Sequence, residues 1–493
     1  MNFVNCIHKL FSFDISNTIS FTGGMFLLFF TVFIIIYGAI YKNRTARTLI
    51  VIAFSLFFYY KLTGLYLLVL LFTLTCDYYL AILIYKSKNS ISRRLWLIIS
   101  LCLSLGLLIY FKYTNFFIHS INALSGKHFS TLSILIPLGI SFYTFRTVSY
   151  IIDVYREEAE PTFHFLDYAF YMTFFPLLIA GPITRAKLFL PDVSKKRFRI
   201  NEYNVSKAMI LIITGLIKKA IIADYIAQYC NLVFDAPGMY SGFENMIALY
   251  GFALQIYFDF SGYTDMAMGI SKLLGFEIGI NFNKPYHALN VTDFWRRWHI
   301  SLSSWLRDYL FTPMSIKFRN WGNWGIIVSL LITFIICGFW HGANLTFIVW
   351  GALFGLAMAF EILTGKIRKN IRGKMNKRLY NIISWFITFN FVTFLWIFFR
   401  AQNMQSAWLI IRQVYAQMDW AYLLPFIRVR SLLVIMMFVG VILYAIPLKW
   451  FQRLSQQFIN VPFWVKAIIF IVVIQLVIQF QSADVQPFLY AQF

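Results

Sequence analysis

Runs of about 20 apolar residues recur along nearly the whole chain, and that is the length a helix needs to cross a bilayer core. They fall near 23–41, 48–60, 62–85, 95–112, 131–152, 206–224, 243–275, 321–340, 343–365, 379–399, 431–448 and 463–481. A backbone in hydrocarbon must satisfy its own polar groups, which only helices and closed barrels do. Alternating strand patterns are absent, so the chain reads as an all-α polytopic membrane protein of about 11–13 spans. Of its 493 residues 60% are hydrophobic and 13% charged, which leaves little for a soluble surface. The stretch 166–183 is apolar but carries Pro176, Gly181 and Pro182, and reads as a broken or re-entrant segment.

The net charge of +23 does not signify nucleic acid, because the basic residues sit in short loops between spans. Loop 42–48 holds Lys42, Arg44 and Arg47, and loop 86–94 holds Lys86, Lys88, Arg93 and Arg94. Segment 184–207 is basic, and 366–378 (KIRKNIRGKMNKR) holds seven basic residues and no acid. With all four on the cytoplasmic side the spans alternate without conflict. Both termini then face outward, and 276–320 falls on the cytoplasmic side. The whole chain, 1–493, reads as one membrane domain. Residues 1–22 form an interfacial lead-in with no cleavable signal, 400–430 an outer interfacial segment, and 482–493 an extracytoplasmic tail. The five cysteines are scattered without a Cys-x-x-Cys pair, so neither a disulfide framework nor a zinc site is indicated.

Against this background NVTDFWRRWHISLSSWLRDYLF, residues 290–311, stands out for three tryptophans, three arginines and a histidine. Trp295, Trp298, Leu302, Trp305 and Tyr309 keep helical spacing, so the stretch reads as one amphipathic helix from Thr292 to Phe311. Asp293 and Arg297 stand at i,i+4 for an ion pair, His299 and Ser303 share a strip, and Asn290 or Thr292 caps the start. The aromatic edge would meet lipid or other helices. Interface anchoring accounts for such a helix on its own. A second histidine changes the balance. In CGFWHGANLTFIVWG, 337–351, His341 lies between glycines inside an apolar run, where an ionisable group usually lines a cavity or meets a partner. Gly338 and Gly342 permit close backbone approach or a helix break. Asp259 and Asp265 also lie in an apolar stretch and want partners, for which the arginines of 293–307 are candidates. Two aspartates six apart are no metal ligand set.

NFNKPYHALNVTDFWRRWHISLSSWLRDYLF (281–311) followed by CGFWHGANLTFIVWG resembles the membrane-bound O-acyltransferase (MBOAT) superfamily. The similarity is greatest to the branch holding alginate and peptidoglycan O-acetyltransferases, and FDFSGYTDMAMGISKLLGF (258–276), GPITR (181–185) and the FLYAQF ending fit that branch. The resemblance implies a fold of membrane helices around a central funnel. It implies transfer of an acetyl or other acyl group from a cytoplasmic thioester such as acetyl-coenzyme A; no bound cofactor and, from the residue spacing above, no metal are expected. It also implies a cell-surface polysaccharide or peptidoglycan as acceptor, an extracytoplasmic SGNH-type transferase as partner, and a bacterial inner-membrane location. His341 is then the catalytic histidine and His299 the second functional one. D-alanyl transfer to teichoic acid is the related alternative. A flippase for an acyl carrier is the non-enzymatic one, although the paired half-repeats of transporters are not found.

The chemistry of the residues agrees with acyl transfer. A histidine suits removal of a hydroxyl proton near neutral pH. Asn344 or backbone N–H groups near Gly342 are candidates for the oxyanion. Arg296, Arg297 and Arg307 could bind donor phosphates through forked hydrogen bonds. Tyr490 in the tail is a candidate acyl relay, since a phenol ester stays reactive toward a later alcohol.

Overall fold

The computed structural model describes residues 11–14, 19–195 and 200–480, and among these it is helical with no strand. Eleven of the twelve apolar runs fall on helix for nearly their whole length, whereas 131–152 is helical only from Ile140, residues 131–139 being irregular chain. Among the described residues six helical runs are long and apolar enough to cross a membrane, and a seventh qualifies if the bent pair Trp420–Val429 and Ser431–Ala445 forms one broken span. The runs expected at 48–60 and 62–85 belong to one helical stretch, Arg44–Lys86, interrupted only by a 3-10 turn at Gly64–Tyr66. The broken segment at 166–183 is seen as the helix Phe165–Thr173, a four-residue turn Phe175–Leu178 and irregular chain, all but its first two residues buried. The lead-in is described only in part, and the tail lies outside the described residues.

The chain divides into two compact units, 1–212 with 266–279, and 213–265 with 280–493. In the first unit Phe175 packs against Phe26, Phe33, Phe54 and Phe58 with ring centroids 5.0–6.4 Å apart. Buried Asp77 accepts hydrogen bonds from Ser100 and Ser104 at 2.7 and 3.1 Å. A carboxylate left alone at that depth would be costly.

The second unit carries both candidate histidines, His299 and His341. Helices Asn323–His341 and Leu345–Leu363 form a close-packed hairpin, with Lys377–Arg400 against the latter. The hairpin packs this tightly because it is built on glycine. A Cβ at Gly338 would sit 2.1 Å from the Phe347 carbonyl oxygen, and one at Gly351 2.1 Å from that of Phe334. Between helices in lipid, such close van der Waals approach replaces the hydrophobic drive that water provides elsewhere. The two aspartates of the apolar stretch find lysines, not the arginines expected. Lys219 meets both Asp259 (2.5 Å) and Asp224 (2.6 Å), and Lys218 meets Asp265 at 2.5 Å. A π-helical turn over Ile217–Ala223 presents the two adjacent lysines. Of the arginines, Arg297 pairs with Asp293 and Arg307 with Asp308 instead.

Candidate functional site

The motif segment is two helices, not one. Val291–Arg297 ends at Trp298, whose backbone is extended, and Ile300–Leu306 begins after His299, which sits in the left-handed region at φ 43°. Asn281 explains the break. Its carbonyl accepts the Ile300 N–H at 3.0 Å and its side-chain oxygen accepts the Ser301 N–H at 3.1 Å, so a neighbouring strand of chain caps the second helix. A left-handed non-glycine residue costs free energy that this local pairing must offset. The expected cap and ion pair of the first helix hold, whereas the helical strip shared by His299 and Ser303 is lost at the break. Asn290 caps by accepting the Asp293 N–H at 2.7 Å, and Asp293 pairs with Arg297 at 2.9 Å. The start is pinned a second time by Glu361, whose carboxylate accepts from the Val291 and Thr292 N–H groups and from the Thr292 hydroxyl at 2.6–3.2 Å.

The aromatic edge turns inward. Trp298 is fully buried between Phe294 (5.5 Å) and Trp396 (5.1 Å), and Trp295 packs on Phe334 and Trp350 at 5.0 and 5.8 Å. His299 is also fully buried, edge-on to Phe260 at 4.7 Å. Its Nδ1 lies 3.4 Å from Asn281 Oδ1. Because the Ser301 N–H donates to that same atom, the atom is the amide oxygen, and the Nδ1–H must be the donor. The lone pair of His299 therefore resides on Nε2. Burial pushes this imidazole down, to about 3, so the ring is neutral at pH 7.

His341 closes the helix Asn323–His341. Gly342 turns the chain to an extended conformation, and a Cβ there would strike the Phe347 ring at 2.1 Å. The buried imidazole is enclosed by Trp340 (4.8 Å), Trp350 (5.1 Å) and Phe399 (5.2 Å). Trp350 in turn stacks near Trp396 at 6.2 Å. A chain of rings, Trp298–Trp396–Trp350–His341, thus joins the two histidine regions.

Beside this chain lies a cavity of about 460 Å³ lined by Thr292, Trp295, Arg296, Ser303, Ser304, Arg307, Phe311 and Phe334, among others. Neither histidine lines it. Trp295 is its wall toward the interior, and Trp295, Trp350 and His341 follow in contact. The three candidate arginines separate here. Arg296 and Arg307 line the cavity, and Arg296 pairs with no described residue. Arg307 reaches its neighbour Asp308 at 2.9 Å, while Arg297 is held by Asp293. Asn344 is occupied structurally: its oxygen caps the next helix at Thr346 N (3.2 Å), and its Nδ2 donates to the Gln402 carbonyl at 2.6 Å. Tyr490 lies outside the described residues. Among the described residues no three His, Cys, Asp or Glu side chains group as metal ligands. Sequence reasoning passed over Asn281 and Glu361 as site residues. Asn281 lay inside the motif stretch. Glu361 is the sole acid within its apolar run, which was a signal open to reading. Trp396 and Phe399 carried no signal beyond spacing in another span.

A family model described as MBOAT, membrane-bound O-acyltransferase family, matches residues 156–401. A peptidoglycan O-acetyltransferase of Helicobacter pylori is 36% identical over 403 residues, 75% of this chain and 74% of that protein. A probable alginate O-acetylase of Pseudomonas aeruginosa is 37% identical over 66% of this chain and 61% of its own length. A teichoic acid D-alanyltransferase of Bacillus subtilis is 32% identical over 52% of this chain and 67% of its own. The matched span 156–401 contains both histidines, the cavity and the ring chain between them. This multi-pass, all-α chain belongs to the membrane-bound O-acyltransferase family and is an O-acyltransferase.

Proposed function

We propose that the chain takes an acetyl or other acyl group from a cytoplasmic thioester, acetyl-coenzyme A in the simplest case, and delivers it for O-acetylation of a cell-surface polysaccharide or peptidoglycan. In this reading it resides in a bacterial inner membrane and passes the group to an extracytoplasmic SGNH-type transferase. The observation that supports it most is the cavity, which combines two arginines, an apolar lining and a tryptophan wall two ring contacts from His341. Guanidinium forks suit donor phosphates, and the apolar lining suits the arm that carries the thioester.

His341 accepts the proton of the incoming hydroxyl. The hydroxyl oxygen bonds to the thioester carbonyl carbon, the tetrahedral intermediate collapses, and the carbon–sulfur bond breaks. The departing thiolate takes up the proton, so transfer is proton-neutral overall. His299, with its lone pair fixed on Nε2 by Asn281, is the second functional histidine and supports the acceptor or leaving group. Surface glycans are too large to enter a membrane-embedded site, so a small hydroxyl must carry the group outward, and Tyr490 in the tail is our candidate.

Similarity to the D-alanyltransferase supports a second reading, transfer of D-alanine to teichoic acid. Mass spectrometry of surface glycans from wild-type and deletion strains separates the two. Loss of ester-linked acetyl groups supports the first, loss of D-alanyl esters the second, and unchanged esters neither.

A further inference from the structure

Helix Leu448–Asn460 joins the apolar helices Ser431–Ala445 and Phe463–Phe480, and none of its residues is buried. At 100° per residue, Leu448, Trp450, Phe451, Leu454, Phe458 and Ile459 occupy one half of its circumference. Lys449, Gln452, Arg453, Gln456, Gln457 and Asn460 occupy the other. Most of the apolar half is exposed, with Trp450 at 63% and Leu454 at 58%, while Phe458 and Ile459 are half-buried. Two-residue linkers, Ile446–Pro447 and Val461–Pro462, tie it to its neighbours, and two residues reach at most about 7 Å. The helix is therefore held at the level where its apolar neighbours leave the hydrocarbon. Its two cations and lack of acids complement an anionic surface.

The first linker and the helix end before it touch the segment that follows Asn281. Lys284 Nζ donates to the Ile446 carbonyl, and the Tyr286 N–H donates to the Tyr444 hydroxyl at 2.7 Å. Lys284 and Tyr286 lie three and five residues after Asn281, which sets the His299 ring. We infer that Leu448–Asn460 is a docking surface for the anionic headgroups of the bilayer, and that its docking steadies the 281–288 segment behind His299. The occupant is lipid, since both ends of the helix are tethered at the membrane border and its charge fits an anionic leaflet. The activity arm of this inference rests on the acyl-transfer reading, whereas the location arm does not.

The test reconstitutes the full chain in phosphatidylcholine vesicles with or without phosphatidylglycerol. A fluorophore is placed at Leu454→Cys or Gln456→Cys after the five native cysteines are replaced by serine. Lipids brominated in the acyl chain serve as quenchers. Quenching should be strong at 454 and weak at 456, and phosphatidylglycerol should strengthen it. Each cation near an anionic surface favours the bound state by about fivefold. The double variant Lys449→Gln/Arg453→Gln should therefore lose an anionic preference of about thirtyfold and keep the apolar contact. Equal quenching at both positions, or none at 454 because a protein covers that face, would overturn the docking. In phosphatidylglycerol vesicles the double variant should lower kcat for thioester cleavage several-fold at unchanged donor KM, and an unchanged kcat would overturn the link to His299.

Discussion

Replacing Gly338 by alanine sets two opposing effects against each other. In an open helix position the change favours folding by about 1 kcal/mol. At Gly338 the new Cβ would lie 2.1 Å from the Phe347 carbonyl oxygen, where ordinary contact begins at 3.4 Å, so the two backbones must part by about 1.3 Å. A main-chain oxygen within a helix has no rotamer to escape into. The overpacking cost should then lie near the upper end of the usual range, about 3 kcal/mol, which exceeds the propensity gain and leaves a net loss of about 2 kcal/mol. Function should suffer more than stability. His341 ends the same helix less than one turn beyond Gly338, and Trp350 and Phe399 enclose its ring. A displacement of about 1 Å in such a site lowers turnover by about 100-fold. Gly106 is the control: it lies inside helix Ser90–Ser125 with nothing within 4 Å of its Cβ position. The assay is thiol release from acetyl-coenzyme A by purified protein, with the thermal midpoint measured in parallel. Gly338→Ala should lower both, and Gly106→Ala should leave turnover unchanged and the midpoint equal or higher. Wild-type turnover in Gly338→Ala, or equal damage from both changes, would refute the close-packed hairpin as the support of His341.

The arginines should separate in kinetics: Arg296→Ala and Arg307→Ala raise donor KM about tenfold or more with little change in kcat, whereas Arg297→Ala leaves donor KM alone and costs under about 1 kcal/mol of stability through its partly exposed pair. Asn344→Ala should cost about 1 kcal/mol of stability as a lost helix cap while kcat per folded molecule stays within a few-fold, because both polar groups of the side chain are already engaged; a fall of 100-fold would instead mark an oxyanion donor. Tyr490→Phe removes one hydroxyl and keeps the ring, so glycan O-acetylation in cells carrying it should disappear, and normal acetylation would exclude a relay through that residue.

Helices were legible because the apolar runs are long and a bilayer admits few alternatives. The Asn290 cap and the Asp293–Arg297 pair were legible because both are interactions within three or four residues. What escaped depends on distant chain. No local pattern places Asn281 where it breaks the helix at His299, and the 3.6-residue spacing of Trp295, Trp298 and Trp305 runs straight through the break. The direction of those tryptophans was equally open, since an aromatic edge suits a lipid border as well as an interior, and only the partners Trp350 and Trp396 decide it. The need of Asp259 and Asp265 for cations is legible in their apolar surroundings, but a π-turn that offers Lys218 and Lys219 together leaves no trace in hydropathy. Arg296, Arg297 and Arg307 look alike in sequence, and the fold alone turns two of them to the cavity.

The central claim is that His341 performs the proton transfer of acyl transfer. Membrane vesicles with the cytoplasmic face outward, containing wild type or His341→Ala at equal levels, should be given acetyl-coenzyme A labelled in the acetyl group. Wild-type vesicles should release free coenzyme A and carry label into ester linkage, while His341→Ala vesicles bind the donor with unchanged affinity and transfer no label. Label transfer at the wild-type rate by His341→Ala would contradict the account.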